Sequence, residues 1–127
     1  MRAYAEDVTR MAQENEDFRH VLFTTERSQL VLMSIPAGGE IGEEVHEEVD
    51  QVLAFVGGEG EAVIEGAARP VRAGSVVVVP GGVRHNFVAT GGSPLKLYTV
   101  YTPPEHPGGT VHRTKEEADE YELRHDH

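Results

Sequence analysis

The sequence predicts an all-β domain, a barrel or sandwich of short strands with a short helix at each end. Three observations predict it. Short apolar runs recur from residue 19 to residue 102, Gly and Pro clusters separate them at fairly even intervals, and no helical segment intervenes.

The elements follow in order. Ala5, Val8, Met11 and Ala12 recur at helical spacing with Glu6, Asp7 and Arg10 between them, which predicts a helix over about 4–14. A helix this short persists only when docked on something. Strand-like runs then appear at Val21-Leu22-Phe23, Leu30-Val31-Leu32-Met33, Val52-Leu53-Ala54-Phe55-Val56, Ala62-Val63-Ile64, Val76-Val77-Val78-Val79 and Leu97-Tyr98-Thr99-Val100-Tyr101. Turn signals separate them: Pro36-Ala37-Gly38-Gly39, Gly57-Gly58, Gly66, Gly74, Pro80-Gly81-Gly82 and Gly91-Gly92-Ser93-Pro94. After Pro103-Pro104 the chain is polar. A second helix is predicted over about 114–123, with Thr114 as N-cap and Glu117 as its capping-box partner. The terminal His125-Asp126-His127 is assigned no role. No internal repeat or linker interrupts the chain, so residues 1–127 read as one domain with a barrel core over about 19–102. A chain of this length buries roughly two thirds of its unfolded surface and needs no disulfide to fold.

Composition narrows the chemistry. There are no cysteines, which excludes disulfides, thiolate metal sites and cysteine nucleophiles. The formal charge of −11 comes with no basic stripe, which argues against nucleic acid and anionic lipid as partners. No apolar stretch approaches the roughly 20 residues of a membrane span, and the first residues lack a signal-peptide pattern. The expectation is a soluble, cytoplasmic protein.

Two stretches carry the candidate chemistry. The first runs from Gly39 to Gly60 and holds Glu44-Val45-His46 and Asp50-Gln51. In a strand, residues two apart share a face, so Glu44 and His46 project together and Val45 faces away. A carboxylate beside an imidazole makes half of a metal site. The second stretch runs from Gly74 through Val76–Val79 and Pro80-Gly81-Gly82 to His85, where a new strand begins.

These stretches resemble the two motifs of the cupin superfamily. In the second, Gly74, Pro80, Gly82 and His85 fall at the motif's spacing, with Ala89 where the motif has Asn. In the first, counting back from Gly58 puts Gln51 at the glutamate position, His46 at the second histidine and Glu44 at the first. The wider chain is similar to small bacterial single-domain cupins, through Ile41-Gly42-Glu43-Glu44-Val45-His46, Tyr101-Thr102-Pro103-Pro104-Glu105-His106 and Gly109-Thr110-Val111-His112. The resemblance implies a double-stranded β-helix, the cupin jelly-roll barrel, and commonly a homodimer. It also implies one divalent metal ion on Glu44, His46, Gln51 and His85. A usual cupin site has three histidines and one glutamate. The two replacements here conserve charge, since one carboxylate and three neutral ligands remain. Two nitrogens and two oxygens make a harder set, tilting preference toward Mn or Fe, while intrinsic affinity favours Zn, Ni and Cu.

Competing readings stand beside these. Gln51 also reads as a cavity-lining amide, since neutral amides bind metals loosely. Strand parity turns Asp50 away from the interior. Glu43, Glu47 and Glu48 read as solvated loop charges, and His20 as structural. His106 and His112 lie in the Pro-rich tail, with reach to a cavity or a neighbouring subunit as the alternative to a plain tail role. Gly57, Gly58, Gly60, Gly81 and Gly82 are turn residues and form no phosphate loop, because no Lys follows and no helix starts there. No general base is evident; Glu48, His106 and Tyr98 are the candidates. The first functional expectation is a metal-dependent dioxygenase, decarboxylase or isomerase acting on an oxygenated small molecule. The second is a non-catalytic ligand-binding or sensor barrel, and the third a metal-free structural barrel in which Glu44 and Gln51 hydrogen-bond the histidines.

Overall fold

A computed structural model describes residues 2–125; Asp126 and His127 lie outside the described residues. The chain runs through α1 (Val8–Glu14), β1 (Arg19–Thr24), β2 (Gln29–Ile35), β3 (Asp50–Gly57), β4 (Glu59–Ile64) and β5 (Ala67–Arg72). It continues through β6 (Val76–Val79), β7 (His85–Ala89), β8 (Leu95–Thr102), β9 (Val111–His112) and α2 (Lys115–His125). Every strand pairing is antiparallel. A six-stranded sheet has the order β6-β3-β8-β2-β1-β9, and a three-stranded sheet the order β5-β4-β7. This is the expected all-β architecture with a helix at each end.

The core lies between the two sheets. On β8, Leu95, Leu97, Thr99 and Tyr101 are buried and alternate with more exposed neighbours. β3 does the same with Gln51, Leu53 and Phe55. From the three-stranded sheet, His85, Phe87 and Ala89 of β7 point inward. The Phe55 and Phe87 rings meet at 5.7 Å between centroids and tie one sheet to the other.

The register places polar residues in one row at the end of this core. Gln29 of β2 and Gln51 of β3 both stand opposite Tyr101 of β8, and Gln51 stands opposite Val79 of β6. The row is where the candidate chemistry collects.

The helices differ slightly from expectation. α1 begins at Val8, not at residue 4, because the Asp7 side chain caps it by accepting from the Arg10 backbone N–H at 3.2 Å. It docks its buried Ala12 on the outer side of the six-stranded sheet, and Gln13 donates to the Val56 carbonyl at 3.1 Å. The Thr114 hydroxyl accepts from the Glu117 N–H at 3.1 Å, as a cap of α2 should. Two strands escaped the sequence reading. β5 is an edge strand, mostly exposed and containing Pro70, so it carries no apolar alternation. β9 is only two residues long.

Gly58 is required by its surroundings. Gly58 turns β3 into β4 at φ +79°, and a Cβ there would lie 2.2 Å from the Pro94 carbonyl oxygen.

A candidate metal centre at one end of the barrel

The two sequence stretches meet through backbone hydrogen bonds. Glu44 and His85 exchange both N–H···O bonds, at 2.8 and 2.9 Å, which sets them directly opposite each other. The Pro80-Gly81-Gly82 turn docks on the first stretch: the Gly82 N–H donates to the His46 carbonyl at 2.8 Å, and the Gly81 N–H to Asp50 Oδ1 at 2.8 Å. A Cβ on Gly81 would lie 2.8 Å from the Glu47 carbonyl oxygen, so the close approach depends on glycine. Asp50 is therefore a turn partner on the exposed side, in line with its strand parity.

Glu44, His46 and His85 each offer one ligand atom, and these atoms lie within 4.8 Å of one another. The His46 and His85 rings stand 5.5 Å apart. The segment is less regular than expected, since Glu44 forms an isolated bridge instead of belonging to a strand. Val45 is among the residues that line the cavity beside Glu44 and His46.

His85, His46 and Gln51 are each oriented by a second group. The Val83 carbonyl, which can only accept, lies 2.9 Å from His85 Nδ1. That bond puts the ring proton on Nδ1 and leaves the Nε2 lone pair facing inward. His46 Nδ1 lies 3.5 Å from Glu105 Oε1, and its Nε2 lies 3.7 Å from Glu44 Oε1. The first distance is the outer limit of a hydrogen bond and the second is an ion-pair contact. The two carboxylates, Glu105 foremost, push the His46 imidazole up to about 10.

Gln51 is only 2 % exposed, and its amide orientation follows from its neighbour. The Thr99 hydroxyl donates to the Val52 carbonyl at 2.9 Å, so its lone pair must accept from the Gln51 NH2, at 3.1 Å. The Gln51 carbonyl oxygen is left over. Among the described residues, His46 Nε2, His85 Nε2 and Gln51 Oε1 are all buried without a hydrogen-bond partner.

A cavity of about 420 Å³ adjoins the cluster, lined by Arg19, Glu44, His46, Glu105, His106 and Tyr121 among others. Buried Gln29 holds the loop that supplies Glu105 and His106. Its side-chain oxygen accepts from both of their N–H groups, at 3.2 and 3.0 Å, and its NH2 donates to the His106 carbonyl. Burial, with Arg19 nearby, pushes His106 down to about 3, so this imidazole is neutral. Its ring meets Tyr101 edge-on at 5.2 Å. Burial raises the Tyr101 phenol well above its usual range.

The other sequence candidates divide. His106 lines the cavity, and His112 is buried behind it against Tyr121 and Arg19. His20 contacts Asp17 at 3.3 Å on the opposite side of β1 from Arg19. Glu47 and Glu48 are exposed, and exposed Glu43 pairs with Arg84 at 2.7 Å. Tyr98 lies on the outward face of β8. Sequence reasoning missed Glu105 and Arg19 as site residues. Glu105 sits inside the Pro-Pro-Glu-His run that carried part of the resemblance; Arg19 gave no signal, because a lone Arg at a strand start is ordinary.

An antiparallel double-sheet barrel with a carboxylate–imidazole cluster at one end of its core defines a class: small β-barrels able to hold a metal and a small ligand. The Cupin domain family matches residues 31–101, and the chain belongs to this family. It is 42% identical over 118 residues to the uncharacterized protein YrkC of Bacillus subtilis, covering 88% of this chain and 63% of YrkC. The chain thus spans less than two thirds of that relative's length. It is 30% identical to the uncharacterized protein SCO3923 of Streptomyces coelicolor, covering 83% of this chain and 99% of that protein. The crystal structure of BH2720 from Bacillus halodurans superposes with a TM-score of 0.92 at 36% identity, over 94% of this chain and 95% of that one. Among the described residues no helix is long and apolar enough to cross a membrane.

Proposed function

We propose that this chain is a metal-dependent enzyme acting on an oxygenated small molecule, with one divalent ion on Glu44, His46, Gln51 and His85. The carrying observation is that His46 Nε2 and His85 Nε2, grouped with the Glu44 carboxylate, are buried without a hydrogen-bond partner, as is Gln51 Oε1. Buried polar atoms are otherwise almost always satisfied, and a bound cation would satisfy the ligand atoms that face it. The two-nitrogen, two-oxygen set suits Mn or Fe by hardness and Zn, Ni or Cu by intrinsic affinity. A dication so bound would supply Lewis acidity or an oxygen-binding centre for dioxygenase, decarboxylase or isomerase chemistry.

The chain's own residues prepare the site. Glu105 holds the Nδ1 side of His46, the Val83 carbonyl fixes the His85 tautomer, and Thr99 turns the Gln51 oxygen inward. Such outer partners typically contribute about 10–100-fold in metal affinity. Thr99→Val removes the acceptor for the Gln51 amide, and the expected result is a metal dissociation constant raised about 10-fold or more. Competition titration against a chromogenic chelator measures it; an unchanged constant would remove Gln51 from the ligand set.

The enzyme reading is tested by assaying metal-loaded protein for oxygen uptake, carbon dioxide release and isomerisation on a panel of small hydroxy and keto compounds. The expected result is metal-dependent turnover that His85→Ala abolishes. Thermal stabilisation by a panel member without turnover favours the binding-barrel reading instead. One observation leans that way: cavity-lining His106 is held neutral but is a weak base.

We also propose a homodimer. Val76 and Val78 on the edge strand β6 are 61% and 62% exposed, beside Val52 of β3, and a second copy would cover them. Light scattering at micromolar concentration is expected to give twice the chain mass, and a monomer mass would contradict it.

A further inference from the structure

Among the described residues, Arg19 has no carboxylate within ion-pair distance. Yet it opens β1 and is only 3% exposed. Its Nη1 lies 3.3 Å from His112 Nδ1, a neutral acceptor, and its Nε is buried without any partner. Its guanidinium carbon stands 5.5 Å from the Phe18 ring centroid, a contact that helps fix the plane. A buried, unpaired guanidinium is costly, because desolvation of the charge is not repaid. Such a group is retained where a ligand completes the pairing.

The position says which ligand. Arg19 lines the same cavity of about 420 Å³ as Glu44 and His46. That volume suits a small molecule. A planar guanidinium matches a carboxylate through two parallel hydrogen bonds.

We propose that Arg19 is a binding residue for the carboxylate of a small organic acid, whose neighbouring hydroxyl or keto oxygen faces the Glu44–His46–His85 cluster. This inference deepens the metal-centre reading and rests on it for the second contact. The substrate class narrows from oxygenated small molecules in general to 2-hydroxy and 2-keto acids. Arg19 selects the acid, and the cluster takes the adjacent oxygen.

The test uses zinc-loaded, nitrogen-15-labelled protein titrated with lactate, pyruvate and oxalate, and in parallel with their neutral amides. Two readouts are taken: the dissociation constants, and the Arg19 Nε–H resonance, assigned by its loss in Arg19→Lys. Elemental analysis of the same sample reports separately on the metal centre. At least one acid is expected to bind 10-fold or more tightly than its amide, with a saturable shift of the Arg19 resonance. Arg19→Met should erase the preference while zinc content is unchanged, and Arg19→Lys should retain part of it. Equal binding of acids and amides, no binding of any acid, or binding that leaves the Arg19 resonance unmoved would overturn the proposal. Should the sample hold no zinc, the metal reading fails by itself, and the Arg19 resonance under acid titration still decides the anion site. Should Arg19→Met not fold, the acid–amide comparison on the parent and on Arg19→Lys decides it.

Discussion

Phe87→Ala is expected to destabilise the protein by about 3–5 kcal/mol, the usual range for removing a buried aromatic ring. Phe87 is fully buried on β7 and packs against Phe55 of β3, so its ring is a main apolar contact between the sheets. Its ring also stands 5.9 Å from the His85 ring, centroid to centroid. A cavity at this point loosens both the seam between the sheets and the support of a candidate metal ligand. Domains of this kind have about 5–15 kcal/mol in total, so the loss is a large share of the whole. Thermal unfolding should fall by about 10–20 °C. A shift of only one or two degrees would mean that the two sheets are held together elsewhere.

Gln29→Ala should show its effect at two sites. The Gln29 side chain makes hydrogen bonds to Thr24 and to three backbone groups of Glu105 and His106. Losing them, and the volume of a buried side chain, is expected to cost about 2–4 kcal/mol. Denaturant titration measures this as a lower midpoint at an unchanged slope. The second effect lies beyond the mutated residue. Glu105 contacts His46 Nδ1 only while its loop is held, so metal affinity should also fall, by about 10-fold. Loss of stability with metal affinity intact would show that Glu105 does not orient His46.

Most of the barrel was legible in the sequence, because its strands announce themselves physically. β3, β6 and β8 are apolar runs bounded by Gly or Pro, and burying an inner face demands those patterns. β5 was not legible, since an exposed edge strand with Pro70 has no core face to advertise. Glu44 and His46 were paired by their spacing, and His85 was joined to them by the resemblance to the two cupin motifs; the turn at Gly81 and Gly82 docks on the first stretch and brings them together. The side of the site that depends on long-range packing was not. Nothing local in the sequence ties Arg19 to the cavity, since it arrives there through the pairing of β1 with β2 and β9. Nor does a buried Gln29 announce that it anchors a loop 76 and 77 residues further on.

The central claim is that Glu44, His46, Gln51 and His85 together hold one divalent ion. Elemental analysis tests it most directly, on protein purified without a histidine tag and reconstituted in turn with Mn, Fe, Co, Ni, Cu and Zn, beside His46→Ala and His85→Ala. The account predicts about one equivalent of metal in the parent and none in either variant. A parent that takes up no metal under any of these conditions, or variants that retain a full equivalent, would contradict it.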